Sequence, residues 1–416
     1  RKAGRSRGPA SQLFNDPFFR QFFGDALGSV QPRERIENSL GSGVIVRPDG
    51  LIVTNFHVIK GADSITIVLS DRREFDAVIL REDERTDLAV LKIDAGDEVL
   101  PAIALSNSDE LEVGDLVLAI GNPFGVGKTV TSGIVSGLAR TQVGISDFNF
   151  FIQTDAAINP GNSGGALLRM DGTLAGINTA IFSRSGGSQG IGFAIPANMV
   201  RTVIDGAAVG AELRRAWLGA SCETVTAEIA GAIGLPRPEG VILSEIHAQG
   251  PALRAGLRSG DIITAFNGQP VFDTEGLRFR VATGTVGDEA VLSVRRKGTE
   301  LELTLVLELP PEIPPRDQQV LEGRHPIAGA TVANLSPAVA EEMGRDHFEH
   351  GVVVRAIASG SPAHRLSFQV GDVIFAVNEV EVKSVTHVRE LTADPAPRWT
   401  ISVRRDGRLF SLTVAG

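Results

Sequence analysis

The sequence has little of what several classes of protein require. It contains one cysteine, Cys222, so no internal disulfide can form. No apolar run approaches the roughly 20 residues that a membrane-crossing helix needs. Acidic residues outnumber basic residues by 50 to 40 and no basic patch stands out, which argues against nucleic acid as a partner. No cluster of His, Cys and Glu has the spacing of metal ligands, so we expect no bound metal.

The first half of the chain has a strand-like pattern. Between residues 40 and 196, short apolar runs alternate with Gly, Asn and Asp, a pattern typical of an all-β sandwich or barrel. Residues 197–215 contain no proline and carry apolar side chains at helical spacing, from Met199 to Ile204. This spacing predicts a helix that closes the first domain.

The second half contains an internal repeat. The segment Gly260-Asp-Ile-Ile-Thr-Ala-Phe-Asn267 matches Gly371-Asp-Val-Ile-Phe-Ala-Val-Asn378, and Ser293-Val-Arg-Arg-Lys-Gly298 matches Ser402-Val-Arg-Arg-Asp-Gly407. An offset of about 110 residues fits a duplicated small domain. Between the copies, Leu309-Pro-Pro-Glu-Ile-Pro-Pro-Arg predicts an extended, semi-stiff spacer, because four of its residues are proline.

The pentapeptide Gly161-Asn-Ser-Gly-Gly165 is the sharpest chemical signal. Glycines on both sides of Ser163 allow a tight turn that projects its hydroxyl. Backbone N–H groups of Gly161, Asn162 and Ser163 then become candidates for an oxyanion hole, which stabilises the charge of a tetrahedral intermediate. A plain glycine-rich β-turn would carry the same sequence, so the motif needs a base nearby to indicate catalysis.

A histidine and an aspartate complete the candidate site. A serine hydroxyl attacks only when a neighbouring base takes its proton, and His57 alone of the seven histidines precedes residue 240. We place His57 at the end of an apolar strand. Asp87 opens another apolar strand and is the best candidate to orient the imidazole. The order His, Asp, Ser is that of chymotrypsin and differs from the subtilisin order. A lone histidine in an apolar run is more often a core residue, so the prediction depends on all three residues.

The first 37 residues contain a phenylalanine stripe. Five phenylalanines recur at spacings of four and five, namely Phe14, Phe18, Phe19, Phe22 and Phe23. This spacing places them on one face of a helix. They are expected to be buried either against the body of the chain or against another copy of it.

Together these segments resemble the HtrA (Deg) family of serine proteases with PDZ domains, over nearly the whole chain. The segments that carry the resemblance are Gly41-Ser-Gly-Val-Ile-Val, Thr54-Asn-Phe-His-Val, Thr86-Asp-Leu-Ala-Val-Leu, Gly121-Asn-Pro-Phe-Gly, Thr131-Ser-Gly-Ile-Val-Ser, Gln153-Thr-Asp-Ala-Ala-Ile-Asn, Gly161-Asn-Ser-Gly-Gly and Gly190-Ile-Gly-Phe-Ala-Ile-Pro.

The resemblance implies a fold dominated by β-structure, with a trypsin-like double β-barrel followed by two α+β PDZ domains. The expected boundaries are an oligomerisation segment at 1–37, the protease domain at 38–211, the first PDZ domain at 212–310, a linker at 311–321 and the second PDZ domain at 322–416.

The resemblance also implies further site residues. Ile158, Ile181 and Ile191 would line a pocket for small aliphatic side chains. Arg140 falls at the family's activation-loop arginine, which helps to order the oxyanion hole.

The PDZ domains are expected to capture peptides. Residues Trp217, Leu218, Gly219 and Ala220 resemble the loop that binds a peptide carboxylate. In the second copy, Ile327-Ala-Gly-Ala330 stands in its place but is less typical, and that copy could instead serve in packing between subunits.

The activity implied is hydrolysis of unfolded or misfolded proteins without ATP or any cofactor. The phenylalanine stripe looks like the family's trimer-forming segment, so we expect homotrimers and larger assemblies of trimers. Two PDZ copies indicate the bacterial periplasmic branch. The chain begins at Arg1 and shows no signal sequence, so any targeting segment is expected to have been removed or never included. The rival interpretation is a chaperone or peptide-binding scaffold in which cleavage is secondary.

Overall fold

The computed structural model describes residues 41–122, 127–140, 150–159, 161–181, 188–208, 215–405 and 407–415. The phenylalanine stripe therefore lies outside the described residues. The chain forms two compact units. The first holds the residues before Arg215 together with Glu275–Thr283, and the second holds Arg215–Thr274 and Gly284–Gly416.

The first unit begins with a five-stranded antiparallel sheet in the order β1-β2-β5-β4-β3. Its elements are β1 (Val44–Arg47), β2 (Leu51–Thr54), the short helix α1 (Phe56–Ile59), β3 (Ile65–Val68), β4 (Glu74–Asp83) and β5 (Leu88–Ile93). The central strands β2 and β5 are buried on both faces, which accounts for their continuous apolar sequences.

A closed six-stranded barrel follows, in the order β10-β11-β8-β7-β6-β9. Its elements are β6 (Leu116–Gly121), β7 (Thr129–Arg140), β8 (Phe151–Thr154), β9 (Ala166–Arg169), β10 (Leu174–Ile181), β11 (Gly192–Pro196) and the closing helix α2 (Ala197–Ala208). Val53 and Val90 of the sheet share one hydrophobic cluster with Ile177 of the barrel and Val200 of α2. The strand-rich pattern and the closing helix predicted for this half are confirmed.

The second unit contains the two copies of the repeat. The elements of the first copy are β12 (Ala220–Thr224), α3 (Ala227–Ile233), β13 (Val241–Ile246), α4 (Pro251–Arg254), β14 (Ile262–Phe266), β15 (Gln269–Pro270), α5 (Thr274–Thr283), β16 (Glu289–Arg296) and β17 (Thr299–Val306). The elements of the second copy are β18 (Gln319–Val320), β19 (Ala330–Asn334), α6 (Pro337–Glu342), β20 (Val352–Ile357), α7 (Pro362–Arg365), β21 (Val373–Val377), β22 (Val380–Glu381), α8 (Val385–Thr392), β23 (Arg398–Arg405) and β24 (Arg408–Ala415).

The matched sequence motifs form the same contact in both copies. The guanidinium of Arg296 lies 2.7 Å from both carboxylate oxygens of Asp261. Arg405 makes the equivalent pair of bonds to Asp372, at 2.6 and 2.7 Å. Both carboxylates are buried, and a buried carboxylate needs such a partner. The repeat in sequence is therefore a repeat in structure.

The proline-rich linker, predicted to be an extended, semi-stiff spacer, is attached to the second copy of the repeat. Residues 309–318 contain no helix or extended strand, as proline predicts, but Gln319–Val320 forms β18 and pairs with β19. The linker is also bonded to the second copy before β18, since the Asn334 side chain donates to the Pro315 carbonyl at 2.8 Å. The backbone amides after the last proline can donate hydrogen bonds again, which permits strand pairing there.

Residues Glu275–Thr283 of α5 belong to the first unit, although they lie within the first copy in sequence. The ring of Phe279 stacks on that of Phe150 with 4.0 Å between centroids. Arg280 lies 3.2 Å from Asp109. Burial lowers the pKa of the Arg280 guanidinium, and the Asp109 carboxylate acts against that shift.

Candidate active site

His57 and Asp87 are joined by hydrogen bonds. Strand β2 ends at Thr54, so His57 lies not at the end of the strand but in helix α1, three residues later. Its Nδ1 lies 2.8 Å from Oδ2 of Asp87, and its backbone N–H donates to Oδ1 at 3.0 Å. With Nδ1 held by a carboxylate, Nε2 is the ring nitrogen available as a base.

Asp87 is held in an unusual backbone conformation. Its φ is +56°, in the left-handed region that non-glycine residues seldom adopt. Its carbonyl accepts the Phe56 amide at 3.1 Å and the Asn55 side chain at 2.9 Å. These bonds tie the residue before β5 to the start of α1, and so fix the carboxylate against the imidazole. Strain of this kind is concentrated at functional sites.

Thr179 of β10 connects the aspartate to the serine. Its hydroxyl donates to Oδ2 of Asp87 at 2.6 Å, and its carbonyl accepts the hydroxyl of Ser163 at 3.1 Å. The structure thus brings His57, Asp87 and Ser163 to one place. Among the described residues, the Ser163 hydroxyl donates to the Thr179 carbonyl and not to the His57 imidazole. Sequence reasoning missed Thr179, because nothing in its local sequence distinguishes it from other strand residues.

The turn that carries Ser163 is fixed by close backbone contacts. Gly164 has a φ of +83°, and a Cβ there would lie 2.1 Å from the Ser42 carbonyl oxygen. Ser42 in turn binds the turn twice, since its amide donates to the Ser163 carbonyl at 2.9 Å and its hydroxyl to the Gly161 carbonyl at 2.7 Å. Glycine is therefore required at 164, and the serine is held from outside the barrel.

The predicted oxyanion donors are not equivalent. The amide of Asn162 donates to the carbonyl of Asn159 at 3.0 Å, so it is already used within the turn. Within the described chain, the amide of Ser163 has no acceptor. The side chain of Asn162 is buried against Gly121, where a Cβ would lie 2.4 Å from its oxygen. Ser163 is thus the better placed donor of the two.

The three isoleucines of the predicted pocket have different surroundings. Ile158 is 2% exposed and belongs to a cluster inside the barrel. A Cβ at Gly192 would lie 2.8 Å from its Cδ1. Ile191 is partly buried and packs against a different cluster. The side chain of Ile181 is outside the described part of the chain, so the pocket formed by the three isoleucines stays a prediction.

Arg140 is the last residue of β7. Its Nε donates to the side chain of Gln153 at 2.9 Å, on an exposed surface. The resemblance implies that residues 143–150 form the rest of the activation loop, and of these the structure describes Phe150 alone.

The predicted carboxylate loop precedes β12, which lies at one edge of its sheet. The Trp217 amide donates to the Glu308 carbonyl at 3.1 Å, and the Leu218 carbonyl accepts the Ala252 amide at 3.0 Å. Gly219 has a φ of +75°, and a Cβ there would lie 2.7 Å from Gly250. The first two residues of the loop are thus hydrogen-bonded to the rest of the domain, and a turn that favours glycine follows them.

Two negative findings concern the described residues alone. They contain no group of three or more His, Cys, Asp or Glu side chains that could hold a metal ion. They also contain no helix that is both long and apolar enough to cross a membrane.

Family models match three parts of the chain. The trypsin-like peptidase domain matches residues 41–177, and models of the PDZ domain match residues 216–307 and 353–405. The fold class predicted from the sequence, a trypsin-like domain followed by two PDZ domains, is thereby confirmed.

Several relatives cover most of the chain. A probable periplasmic serine endoprotease, DegP-like, of Chlamydia muridarum (strain MoPn / Nigg) is 40% identical over 380 residues, which are 91% of this chain and 75% of the relative. The periplasmic pH-dependent serine endoprotease DegQ of Escherichia coli (strain K12) is 41% identical over 395 residues, 94% of this chain and 84% of the relative. The periplasmic serine endoprotease DegP of the same strain is 37% identical over 416 residues, with 95% and 85% covered.

Solved structures are similar as well. The HtrA-type protease AlgW with a decapeptide is 46% identical, covers 68% of this chain and 87% of its own, and has a TM-score of 0.51. The same protease with a tripeptide is 46% identical, covers 67% and 91%, and has a TM-score of 0.52.

Proposed function

The chain belongs to the HtrA family of serine endoproteases with PDZ domains, and we propose that it degrades unfolded or misfolded proteins in the periplasm without ATP. It is a serine endopeptidase. The observation that carries the proposal is the hydrogen-bonded series His57–Asp87–Thr179–Ser163. The alternative, a chaperone or scaffold with secondary cleavage, is not favoured, because the relatives that cover the chain are endoproteases.

Ser163 is the proposed nucleophile. Its hydroxyl turns from the Thr179 carbonyl towards Nε2 of His57, which takes the proton as Oγ attacks the scissile carbonyl carbon. Asp87 keeps the proton on Nδ1 and stabilises the imidazolium that forms. The amides of Ser163 and Gly161 bind the oxyanion. The imidazolium then gives its proton to the leaving amine, and water hydrolyses the acyl-enzyme by the same route.

Replacement of Ser163 by alanine tests the assignment. Ser163→Ala removes the attacking oxygen, so casein cleavage should fall by about 10⁶-fold. The thermal unfolding midpoint should stay near that of the parent chain, because the hydroxyl makes one hydrogen bond to a backbone carbonyl. Ser188→Ala is a suitable control, since it also removes one serine hydroxyl. Cleavage by Ser163→Ala at the parent rate would eliminate the assignment.

Four further residues are proposed to act in substrate selection and in ordering the site. We propose that Ile158, Ile181 and Ile191 favour small aliphatic side chains in the substrate. We also propose that Arg140 helps to order the oxyanion hole. Cleavage of peptides that differ only in having valine or phenylalanine before the scissile bond tests the pocket.

The two PDZ domains are proposed to bind the C-termini of substrates. An extended peptide adds a strand to a sheet edge, and loop N–H groups hold its carboxylate. In the first domain the proposed site is the loop Trp217–Ala220 with β12. The proposed boundaries are 1–37 for the oligomerisation segment, 38–211 for the protease domain, 212–310 for the first PDZ domain, 311–321 for the linker and 322–416 for the second PDZ domain. We also propose that the chain forms homotrimers and larger assemblies of trimers.

A further inference from the structure

The edge of the second PDZ sheet is covered by the chain's own linker. Strand β18 pairs antiparallel with β19, so that Gln319 faces Val332 and Val320 faces Thr331. Strand β19 follows the loop Ile327–Ala330, which takes the position of the carboxylate loop. The linker therefore occupies the sheet edge next to that loop.

Backbone hydrogen bonds join this segment to β19 from end to end. The Leu321 amide donates to the Ala330 carbonyl at 2.8 Å, and the Gly329 amide donates to the Leu321 carbonyl at 2.7 Å. At the other end, the Asn334 amide donates to the Arg316 carbonyl at 2.8 Å. The segment from Arg316 to Leu321 is thus docked along the full length of β19.

The side chain of Leu321 is anchored in the core of the domain. It is 2% exposed and belongs to the cluster that contains Val332, Val385 and Trp399. The neighbouring side chain of Val320 is 54% exposed. Burial of one side chain and exposure of the next is the alternation expected of a strand added to a sheet edge.

Helix α8 lies on the other side of the segment. Residues 319–321 line one cavity together with Arg389 and Thr392 of α8. Thr386 of α8 donates to the Asp317 carboxylate at 3.3 Å. The segment therefore lies between a sheet edge and a helix.

These contacts are those of a bound peptide. In strand addition, a peptide supplies backbone bonds to the edge, an apolar side chain to a pocket and its C-terminal carboxylate to loop N–H groups. Here Leu321 supplies the apolar side chain, and its carbonyl on the Gly329 amide stands where a carboxylate oxygen would bind. The difference is that the chain continues at Glu322.

We propose that Arg316–Leu321 is an internal ligand of the second PDZ domain, which binds a C-terminal peptide only after this segment has left. The inference rests on the peptide-capture part of the proposed function and is independent of hydrolysis. It also assigns the ligand chemistry of the groove, an extended segment with leucine at its C-terminal position.

The first test counts bound peptides on the full chain carrying Ser163→Ala. The probe is a fluorescent peptide Arg-Asp-Gln-Gln-Val-Leu with a free carboxylate, which copies residues 316–321. Leu321→Asp places a charge in the apolar pocket and should release the segment, so binding should rise by one equivalent per chain. Val320→Asp is the matched control and should bind like the Ser163→Ala parent, because residue 320 is exposed. Equal stoichiometry for Leu321→Asp and the parent overturns the proposal.

A second test does not depend on how Leu321→Asp folds. In a Ser163→Ala, Cys222→Ser chain, cysteines placed by Val320→Cys and Thr331→Cys face each other across β18 and β19. Oxidation under native conditions should give mainly this intramolecular disulfide. Oxidation of the chain unfolded in urea should no longer give it as the main product. Failure to form the bond under native conditions overturns the docking. The locked chain should bind as many peptides as the parent, and a gain of one equivalent despite the lock also overturns the proposal. If no chain binds peptide, the capture function fails as well, whereas a gain in Leu321→Asp alone supports the inference even if the first domain binds none.

Discussion

Thr179 makes two contacts that no motif in the neighbouring sequence predicts. Its hydroxyl bonds to Asp87 at 2.6 Å and its carbonyl accepts the Ser163 hydroxyl at 3.1 Å. Because Asp87 is buried, loss of this donor leaves a carboxylate oxygen without one of its partners. Thr179 is thus a positioning residue for the aspartate.

Thr179→Val should slow catalysis while preserving substrate binding. A hydrogen bond to a charged group contributes about 1.5–3 kcal/mol, so kcat should fall roughly 10- to 100-fold, with KM little changed. Thr179→Ser keeps the hydroxyl and should restore most of the rate. Steady-state kinetics on a fluorogenic peptide measures both parameters. An equal loss in the valine and serine variants would assign Thr179 a packing role instead.

Gly164→Ala should destabilise the serine turn beyond the cost of its backbone angle. The left-handed conformation alone costs a non-glycine residue about 1–3 kcal/mol, and here the Cβ would also meet Ser42. Gly172→Ala is the matched control, because Gly172 has the same φ of +83° with nothing within 4 Å of its Cβ. Chemical unfolding should show a larger loss for Gly164→Ala. Equal losses would mean that the turn adapts to the methyl group.

At this scale the sequence predicts residues whose neighbours in the chain are distinctive. Ser163 lies among glycines, and His57 is the one histidine in its half of the sequence. Thr179 could not be found this way, since its role depends on which strands lie side by side in the folded barrel. The sequence also could not predict that the Asn162 amide, close to the serine in the chain, donates to the Asn159 carbonyl.

At the scale of elements, the segment between β18 and β19 contains a buried ionisable group, His325. His325 is 4% exposed, and its ring meets that of Trp399 edge-on at 6.2 Å. Its Nε2 lies 3.1 Å from the Glu322 carbonyl. Burial lowers the pKa of His325 below its ordinary value of 6.5, although the Glu322 carbonyl acts against that shift. The folded domain therefore favours the neutral ring.

Acid should weaken the second PDZ domain through His325. A lowered pKa means that the unfolded chain binds the proton more readily, so the stability is fully present above pH 6.5 and falls as the pH drops below it. The urea midpoint of the domain should be lower at pH 5.5 than at pH 7.5. His325→Gln keeps a polar side chain of similar size that does not titrate, and it should reduce the difference between the two urea midpoints. A difference of the same size in His325→Gln would assign the acid sensitivity to other groups.

The linker marks the limit of prediction for whole elements. Proline chemistry predicts residues 309–316 without regular structure, and the structure has no helix or extended strand there. The pairing of Gln319 and Val320 with β19 was not predicted, because a strand of two residues shows no alternation of apolar and polar side chains. Their position depends on the packing of Leu321 against residues that lie much later in the chain, such as Val385 and Trp399.

For the whole molecule, the expected assembly depends on the phenylalanine stripe. Removal of residues 1–24 takes away all five phenylalanines. If they are buried between subunits, the molar mass from light scattering should fall from that of the trimer, or a multiple of it, to that of one chain. Phe14→Ser with Phe18→Ser is the milder variant, and should weaken the assembly in the same direction. A size unchanged from the parent assembly would place the stripe against its own chain.

The order of domains was predictable because the sequence repeats itself. Two copies of a Gly-Asp and a Ser-Val-Arg-Arg motif indicate two related domains, and the buried pairs Asp261–Arg296 and Asp372–Arg405 are the physical reason for both motifs. The membership of Glu275–Thr283 in the first unit was not predictable. In that segment Phe279 stacks on Phe150, a contact between residues that no shared motif links.

The attachment of Ser42 has a mechanical consequence. The Ser42 hydroxyl donates to the Gly161 carbonyl and the Ser42 amide donates to the Ser163 carbonyl. In the sequence, Gly41 lies between Ser42 and the first 40 residues, which contain the phenylalanine stripe. A displacement of Gly41 would therefore reach the turn of the nucleophile through the next residue, Ser42. The position of the chain at Gly41 and the geometry of the serine turn are therefore coupled.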